Sequence, residues 1–175
     1  KGVDYAMRLL GKQFVTGQTI EEALKNGKER EKSGYRFSFD MLGEAAMTQA
    51  DADRYYQDYV HAIHAIGKDA AGAGVYEGNG ISVKLSAIHP RYARAQHERV
   101  MAELLPRLKD LFLLAKQYDI GLNIDAEEAN RLELSLDLME ALVSDPDLAG
   151  FNGIGFVVQA YQKRCPFVID YLVDL

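Results

Sequence analysis

One pattern, repeated four times, constrains this chain more than any other feature: a short strand-like segment with one apolar and one polar row, then a helical stretch. The segments are YRFSFDM (35–41), ISVKLS (81–86), GLNIDAEE (121–128) and GIGFVVQA (153–160). Side chains alternate between the two faces of a strand, so each segment divides into two rows. One row reads Phe37/Phe39, Ile81/Val83/Leu85, Leu122/Ile124/Ala126 and Ile154/Phe156/Val158. The other reads Ser38/Asp40, Ser82/Lys84/Ser86, Asn123/Asp125/Glu127 and Gly155/Val157/Gln159.

The intervening stretches carry helical periodicity. Residues 19–32 open on Thr19 as N-cap, with Glu22 three positions later to complete a capping box, and Gly34 closes the segment. Residues 51–67 place Tyr56, Tyr59, Val60, Ile63 and Ile66 on one stripe. Residues 96–118 turn Val100, Leu104, Leu105, Leu108, Leu111 and Leu114 inward, with Pro106 expected to kink the helix. A leucine-rich helix spans 131–143, and another begins at Pro166.

Strand and helix in alternation build a parallel sheet with right-handed crossovers. Two architectures compete: an open doubly wound sheet and a β/α barrel. Central strands of an open parallel sheet are apolar on both faces. Here only one row is apolar, as expected if helices cover the outer rows while the inner rows face a common axis. Asp40, Lys84, Asp125 and Gln159 follow one another at steps of 44, 41 and 34 residues. At about 40 residues per unit, eight units need roughly 320 residues, near the upper part of the usual barrel range. The expected fold is therefore α/β, the first four units of a (β/α)8 barrel plus a lead-in helix. Residues 1–34 form the lead-in and 35–175 the half-barrel. The chain begins at Lys1 and is expected to be an excised piece.

Composition removes several function classes. A net charge of −6 argues against nucleic acid as a partner, because phosphate binding needs a basic face. The single cysteine, Cys165, excludes an internal disulfide and suits a reducing compartment. No apolar run approaches the roughly 20 residues that span a bilayer. GNG at 78–80 precedes a strand rather than following one, so it fails the dinucleotide fingerprint.

Lys84 is the residue that most needs explaining. An ammonium in the middle of an apolar strand is costly unless something compensates it. On the inner row it would stand level with Asp125 at the carboxyl end of the strands, where barrel enzymes build their sites. A merely structural ion pair contributes little against an apolar replacement, so the position argues for use. Lys84 could alternatively be a Schiff-base nucleophile, or the chain a noncatalytic assembly module. Asp125, Glu127 and Glu128 could offer oxygen ligands to a cation. However, neighbouring strand residues face opposite ways and Glu128 begins the next helix, so no metal is expected. His61 and His64 read as a half-buried helix face, His89-Pro90-Arg91-Tyr92 as a loop shaper, and Cys165 as packing.

FSFDMLGE (37–44), ISVKLSAIHPRY (81–92), LNIDAEEANRLELSLDL (122–138) and GIGFVVQAYQKR (153–164), in that order, resemble the proline dehydrogenase domain of bacterial bifunctional proline utilization A proteins. The lead-in GKQFVTGQTIEEAL (11–24) is similar to the segment preceding that barrel. The resemblance implies a distorted barrel that holds FAD noncovalently and oxidises L-proline to Δ1-pyrroline-5-carboxylate. Electrons would then pass to a membrane quinone, in a cytoplasmic enzyme that associates peripherally with the inner membrane. By the same resemblance Lys84 pairs with the substrate carboxylate and Asp125 lies beside flavin and lysine. Ala126, Val157 and Gln159 line the flavin ring, and Glu44 gates the pocket through an arginine of the last barrel helix. Asp40 stands near the same mouth in a supporting electrostatic role. The family's fifth strand, flavin-phosphate contacts and two substrate arginines lie outside these 175 residues. The isolated chain is therefore expected neither to retain FAD nor to turn over proline, and to self-associate or pair with the other barrel half.

Overall fold

The computed structural model describes residue 11 and residues 15–175; residues 1–10 and 12–14, including part of the GKQFVTGQTIEEAL lead-in, lie outside the described residues. Contacts divide the chain into two units, Lys1–Phe37 and Ser38–Leu175.

The first unit contains helix α1 (Ile20–Glu31). Thr19 caps it as its sequence requires, the side-chain oxygen accepting the Glu22 N–H at 3.2 Å. The expected return bond lands one residue earlier, because Glu22 accepts the Gln18 N–H at 2.9 Å rather than that of Thr19. Gly27 packs closely on Phe37: a Cβ there would lie 3.1 Å from the ring and would press it aside.

The second unit is a four-stranded, wholly parallel sheet in the order β1-β2-β3-β4. The strands are β1 (Ser38–Asp40), β2 (Gly80–Val83), β3 (Leu122–Ile124) and β4 (Ile154–Phe156). Helices α2 (Gln49–Ala70), α4 (His97–Tyr118) and α5 (Leu132–Val143) connect them; α3 (Leu85–Ile88) is a single turn after β2, and α6 (Cys165–Asp174) follows β4. Each new strand joins the side of the last, with no reversal of order. A doubly wound sheet reverses at its switch point, whereas a barrel does not, which settles the architecture in favour of the barrel.

Burial follows the two rows. Ile81, Val83, Leu122 and Ile124 of the outer row are fully buried. Beneath them lie Ile63 and Ile66 of α2, Leu104, Leu108 and Phe112 of α4, and Leu134 and Leu138 of α5, all inaccessible to solvent. In α4 the buried stripe includes Phe112 and Ala115, while Leu105 and Leu114, expected inward, are only partly covered. The helix continues through Pro106. Thr48 and Asp51 form a full capping box that starts α2 two residues before the expected position.

The strands are shorter than their alternation suggests. The second stops at Val83, and Leu85 and Ser86, expected to continue it, begin the helical turn α3. The third ends at Ile124, although Asp125 N–H still reaches Val83 O at 2.9 Å. Ser86 and Glu127 therefore leave the inner row and bond to each other across the loops instead.

Candidate active site

Register sets the heights of the inner-row residues. Asp40, Ser82, Asn123 and Gly155 share one level, through the pairings Asp40↔Ser82, Ser82↔Asn123 and Asn123↔Gly155. A Cβ on Gly155 would come within 1.8 Å of Asn123 Oδ1, so this floor admits the asparagine amide only because the opposite residue is glycine. One level higher stand Lys84, Asp125 and Val157, the last two tied to the neighbouring strands by Asp125 N–H to Val83 O and Val157 N–H to Ile124 O, each 2.9 Å.

Lys84 therefore projects from the carboxyl end of β2 between two carboxylates. Its Nζ lies 2.9 Å from Asp125 Oδ2 and in direct contact with Asp40 Oδ1. The lysine side chain is 14% exposed, Asp125 23% and Asp40 52%, so the trio sits at a mouth rather than in the core. Burial disfavours the ammonium, but the hydrogen bonds it donates to Asp40 and to Asp125 outweigh it and lift the lysine pKa well above its ordinary value. Asp125 is itself held, its Oδ1 accepting the Ala126 N–H at 2.9 Å.

The loops after the four strands are stitched together by hydrogen bonds. Ala45 N–H donates to Ser86 Oγ at 3.0 Å and Ala46 N–H to Ser86 O at 2.9 Å, anchoring the loop that carries Glu44. Gly43 (φ 141°) and Ala45 (φ 51°) give that loop its sharp course. Ser86 N–H donates to Glu127 Oε1 at 3.0 Å, and Gln159 Nε2 donates to Glu127 O at 3.0 Å. Glu127 Oε2 accepts from Arg131 at 3.2 Å. Burial raises the Glu127 pKa, only partly offset by the Ser86 and Arg131 contacts. Glu128 pairs with Arg131 at 3.0 Å. These carboxylates thus have protein partners, and among the described residues no group of three His, Cys, Asp or Glu is arranged to hold a metal ion.

A shallow cleft, about 410 Å³ with the open solvent at its mouth included, lies where β3 and β4 end. Asp125, Ala126, Val157 and Gln159 all border it, together with Phe156 and Arg164. Val157 is 38% exposed, an apolar surface open to solvent beside polar groups. Glu44 and Asp40 stand apart from this cleft: Glu44 is exposed on the loop after β1, and Asp40 reaches the site through Lys84.

Several contributing residues escaped the sequence-based expectations. Tyr59, read as core, is 1% exposed, yet its hydroxyl accepts the Lys84 backbone N–H at 3.1 Å. Burial drives its pKa up to about 12. A tyrosine within an apolar stripe was the available signal, since a buried phenol needs a partner. Ser86 and Glu127 were placed on a strand that does not extend that far. His89 is buried, with Nδ1 accepting the Arg91 N–H at 3.2 Å and Nε2 3.1 Å from Glu103, so it fastens the loop after β2. His64 lies 2.9 Å from the Tyr118 hydroxyl, a helix-to-helix contact.

These features define a class: successive units of a parallel β/α barrel whose strands' carboxyl ends gather a charged lysine, two aspartates and an adjoining cleft. The chain belongs to the proline dehydrogenase family, whose model, described as "Proline dehydrogenase", matches residues 23–175. It is 70% identical over its whole length to the bifunctional protein PutA of Klebsiella aerogenes, and 69% identical to that of Escherichia coli. It spans 13% of the length of each of these relatives. Proline dehydrogenase 1 of Bacillus subtilis is 30% identical over 98% of the chain, which covers 51% of that protein. Among solved structures, proline utilization A (PutA) of Bdellovibrio bacteriovorus inactivated by N-propargylglycine matches with a TM-score of 0.90 at 25% identity, over 99% of this chain and 17 to 19% of the structures' length when a Bradyrhizobium japonicum PutA variant is included. That variant matches with a TM-score of 0.81 at 53% identity.

Proposed function

We propose that this chain supplies the first four β/α units of an FAD-dependent proline dehydrogenase that oxidises L-proline to Δ1-pyrroline-5-carboxylate in proline catabolism. The observation that carries the proposal is Lys84 held as a cation between Asp40 and Asp125 at the carboxyl end of β2. An immobilised ammonium is suited to a carboxylate, and such charge-assisted contacts orient as well as bind. The aspartates keep the lysine protonated until substrate arrives. Holding the carboxylate at Lys84 fixes which ring carbon of proline faces the neighbouring cleft, a proximity effect.

The residues bordering the cleft fit a flavin. Val157 offers an exposed apolar surface for a ring face. The Gln159 NH2 spends one hydrogen on Glu127 O, and an amide nitrogen carries a second that can meet a polar ring edge. Asp125, Ala126, Val157 and Gln159 would hold the ring. The chemistry FAD supplies when bound is acceptance of two electrons from proline, which pass on to a membrane quinone. Delivery of electrons to such a quinone would suit a cytoplasmic enzyme with peripheral access to the inner membrane. Among the described residues no helix is long and apolar enough to cross a membrane. Glu44, exposed on its anchored loop, would close the pocket mouth by pairing with an arginine from the remainder of the barrel.

The Schiff-base alternative conflicts with the electrostatics. A nucleophilic lysine needs a lowered pKa, and Lys84 has a raised one. The test is reduction of a dye by proline, followed with the flavin spectrum, in the full-length protein that carries this segment. Turnover is expected there, with no borohydride-trapped adduct on Lys84. The isolated 175-residue chain is expected to retain no flavin and show no turnover. A full-length protein that neither binds flavin nor oxidises proline refutes the proposal.

A further inference from the structure

The backbone N–H of Lys84 occupies an unusual position. Along β2 successive N–H groups point alternately to the two neighbouring strands. Ile81 N–H donates to Gly121 O on the β3 side, so alternation aims the N–H of Lys84 toward β1. The β1–β2 pairing ends at Asp40↔Ser82, and no strand residue receives the next bond on that side. Instead the Tyr59 hydroxyl, rising from α2 on the outer face, accepts it at 3.1 Å. Lys84 is also where the chain changes course: it is the last extended residue (φ −88°, ψ 118°) before the turn α3, and it has no side-chain cap.

We infer that Tyr59 is a positioning residue for substrate binding: by holding the Lys84 peptide at this pivot, it sets the direction in which the ammonium is presented. The inference rests on the proposed role of Lys84. Three features support it. Tyr59 is 1% exposed and its ring is fixed among core side chains, so the hydroxyl is a rigid acceptor. The peptide it holds belongs to the residue whose Nζ joins Asp40 and Asp125, so a rotation at this pivot displaces the charge itself. The carbonyl of Lys84 accepts the Ala87 N–H at 3.1 Å, a bond inside the turn itself, and its side chain contacts Asp40 and Asp125, the very contacts that an incoming carboxylate has to share. Without Tyr59, the N–H of Lys84 would lose its tie to α2 just as substrate draws on the side-chain contacts.

Tyr59→Phe keeps the ring and removes only the hydroxyl that accepts this N–H. In the full-length enzyme with its cofactor, the KM for proline is expected to rise about tenfold while kcat changes less than about threefold, in keeping with a lost acceptor for a buried N–H. The dissociation constant of a cyclic carboxylate analogue of proline, measured by calorimetry, should rise by the same factor. Ile63→Val, on the same helix and equally buried, is the control for mere destabilisation: it should lower Tm without moving KM. If Tyr59→Phe fails to fold, 3-fluorotyrosine at position 59, a weaker acceptor of almost unchanged shape, should raise KM in the same direction. A Tyr59→Phe enzyme that loses Tm but keeps its KM and analogue affinity overturns the inference. Lys84→Met in the same assays separates the two ideas. If it too leaves proline affinity unchanged, the site reading fails. If it weakens binding while Tyr59→Phe does not, only the positioning role fails.

Discussion

Replacing Lys84 by methionine keeps the unbranched stem of the side chain and removes its charged end, and the geometry gives the consequence a size. The charge-assisted contact to a substrate carboxylate is worth about 1.5–3 kcal/mol. Removing the cation also leaves Asp40 and Asp125 facing that carboxylate. One unit charge about 5 Å from another, at an effective dielectric near 20, contributes roughly 3 kcal/mol. Exposure of 52% at Asp40 and 23% at Asp125 screens this repulsion, leaving about 1 kcal/mol. Together these give a loss of about 2.5–4 kcal/mol, or roughly a hundred- to a thousandfold in proline affinity. Stability should respond less. Both carboxylates keep contact with water, so their unpaired charge costs about 1–2 kcal/mol rather than the 3–5 kcal/mol of a fully buried broken pair. The assay is calorimetric binding of a proline analogue to full-length enzyme, alongside thermal unfolding of the same samples. Affinity within threefold of the unmodified protein, or a loss of stability exceeding the loss of binding, refutes the reasoning.

Because Lys84 has a raised pKa in the folded state, its contribution to stability is fully present below the ordinary lysine value of about 10.4 and is lost only as pH rises through the higher folded value. Wild-type protein and Lys84→Met should therefore differ in unfolding free energy by a constant amount between about pH 7 and 9, and converge at more alkaline pH. A difference that already closes near neutrality contradicts the assignment. For the same reason, binding of a carboxylate analogue lacking the amine should be flat across about pH 7 to 9, whereas a nucleophilic lysine would gain reactivity with pH. Ser86→Ala removes the acceptor for Ala45 N–H and should speed amide exchange at residues 43–46 while leaving α4 protected; unchanged exchange there shows that the stitch is not limiting. The isolated chain exposes Phe167, Ile169 and Val173 on α6 as well as the edges of β1 and β4, so light scattering should find it associated, and a stable monomer counts against this.

The architecture was legible because burial imposes the two-row pattern: Ile81, Val83, Leu122 and Ile124 had to face helices, and the opposite row did not. The barrel reading followed from polar inner rows and is matched by an unreversed strand order. The Lys84–Asp125 pair was legible from register alone, since equal steps along parallel strands bring residues level. What alternation could not convey was where each strand ends. Leu85 and Ser86 fit the pattern of β2 but belong to a helical turn, a choice made by tertiary bonds from Ser86 to Ala45, Ala46 and Glu127. Those partners lie about forty residues away, beyond any local signal. Tyr59 was hidden similarly: its ring satisfies the periodicity of α2, and only its distance to Lys84 exposes the second role of the hydroxyl. The return bond of Glu22, landing on Gln18 rather than Thr19, shows that a capping motif fixes a helix start without fixing every hydrogen bond.

The most direct measurement is the structure of the full-length protein with proline or a close analogue bound. The ligand carboxylate is expected within about 3 Å of Lys84 Nζ, on the face that carries Asp125. A carboxylate more than about 5 Å from that nitrogen, bound through other cations alone, would contradict the account.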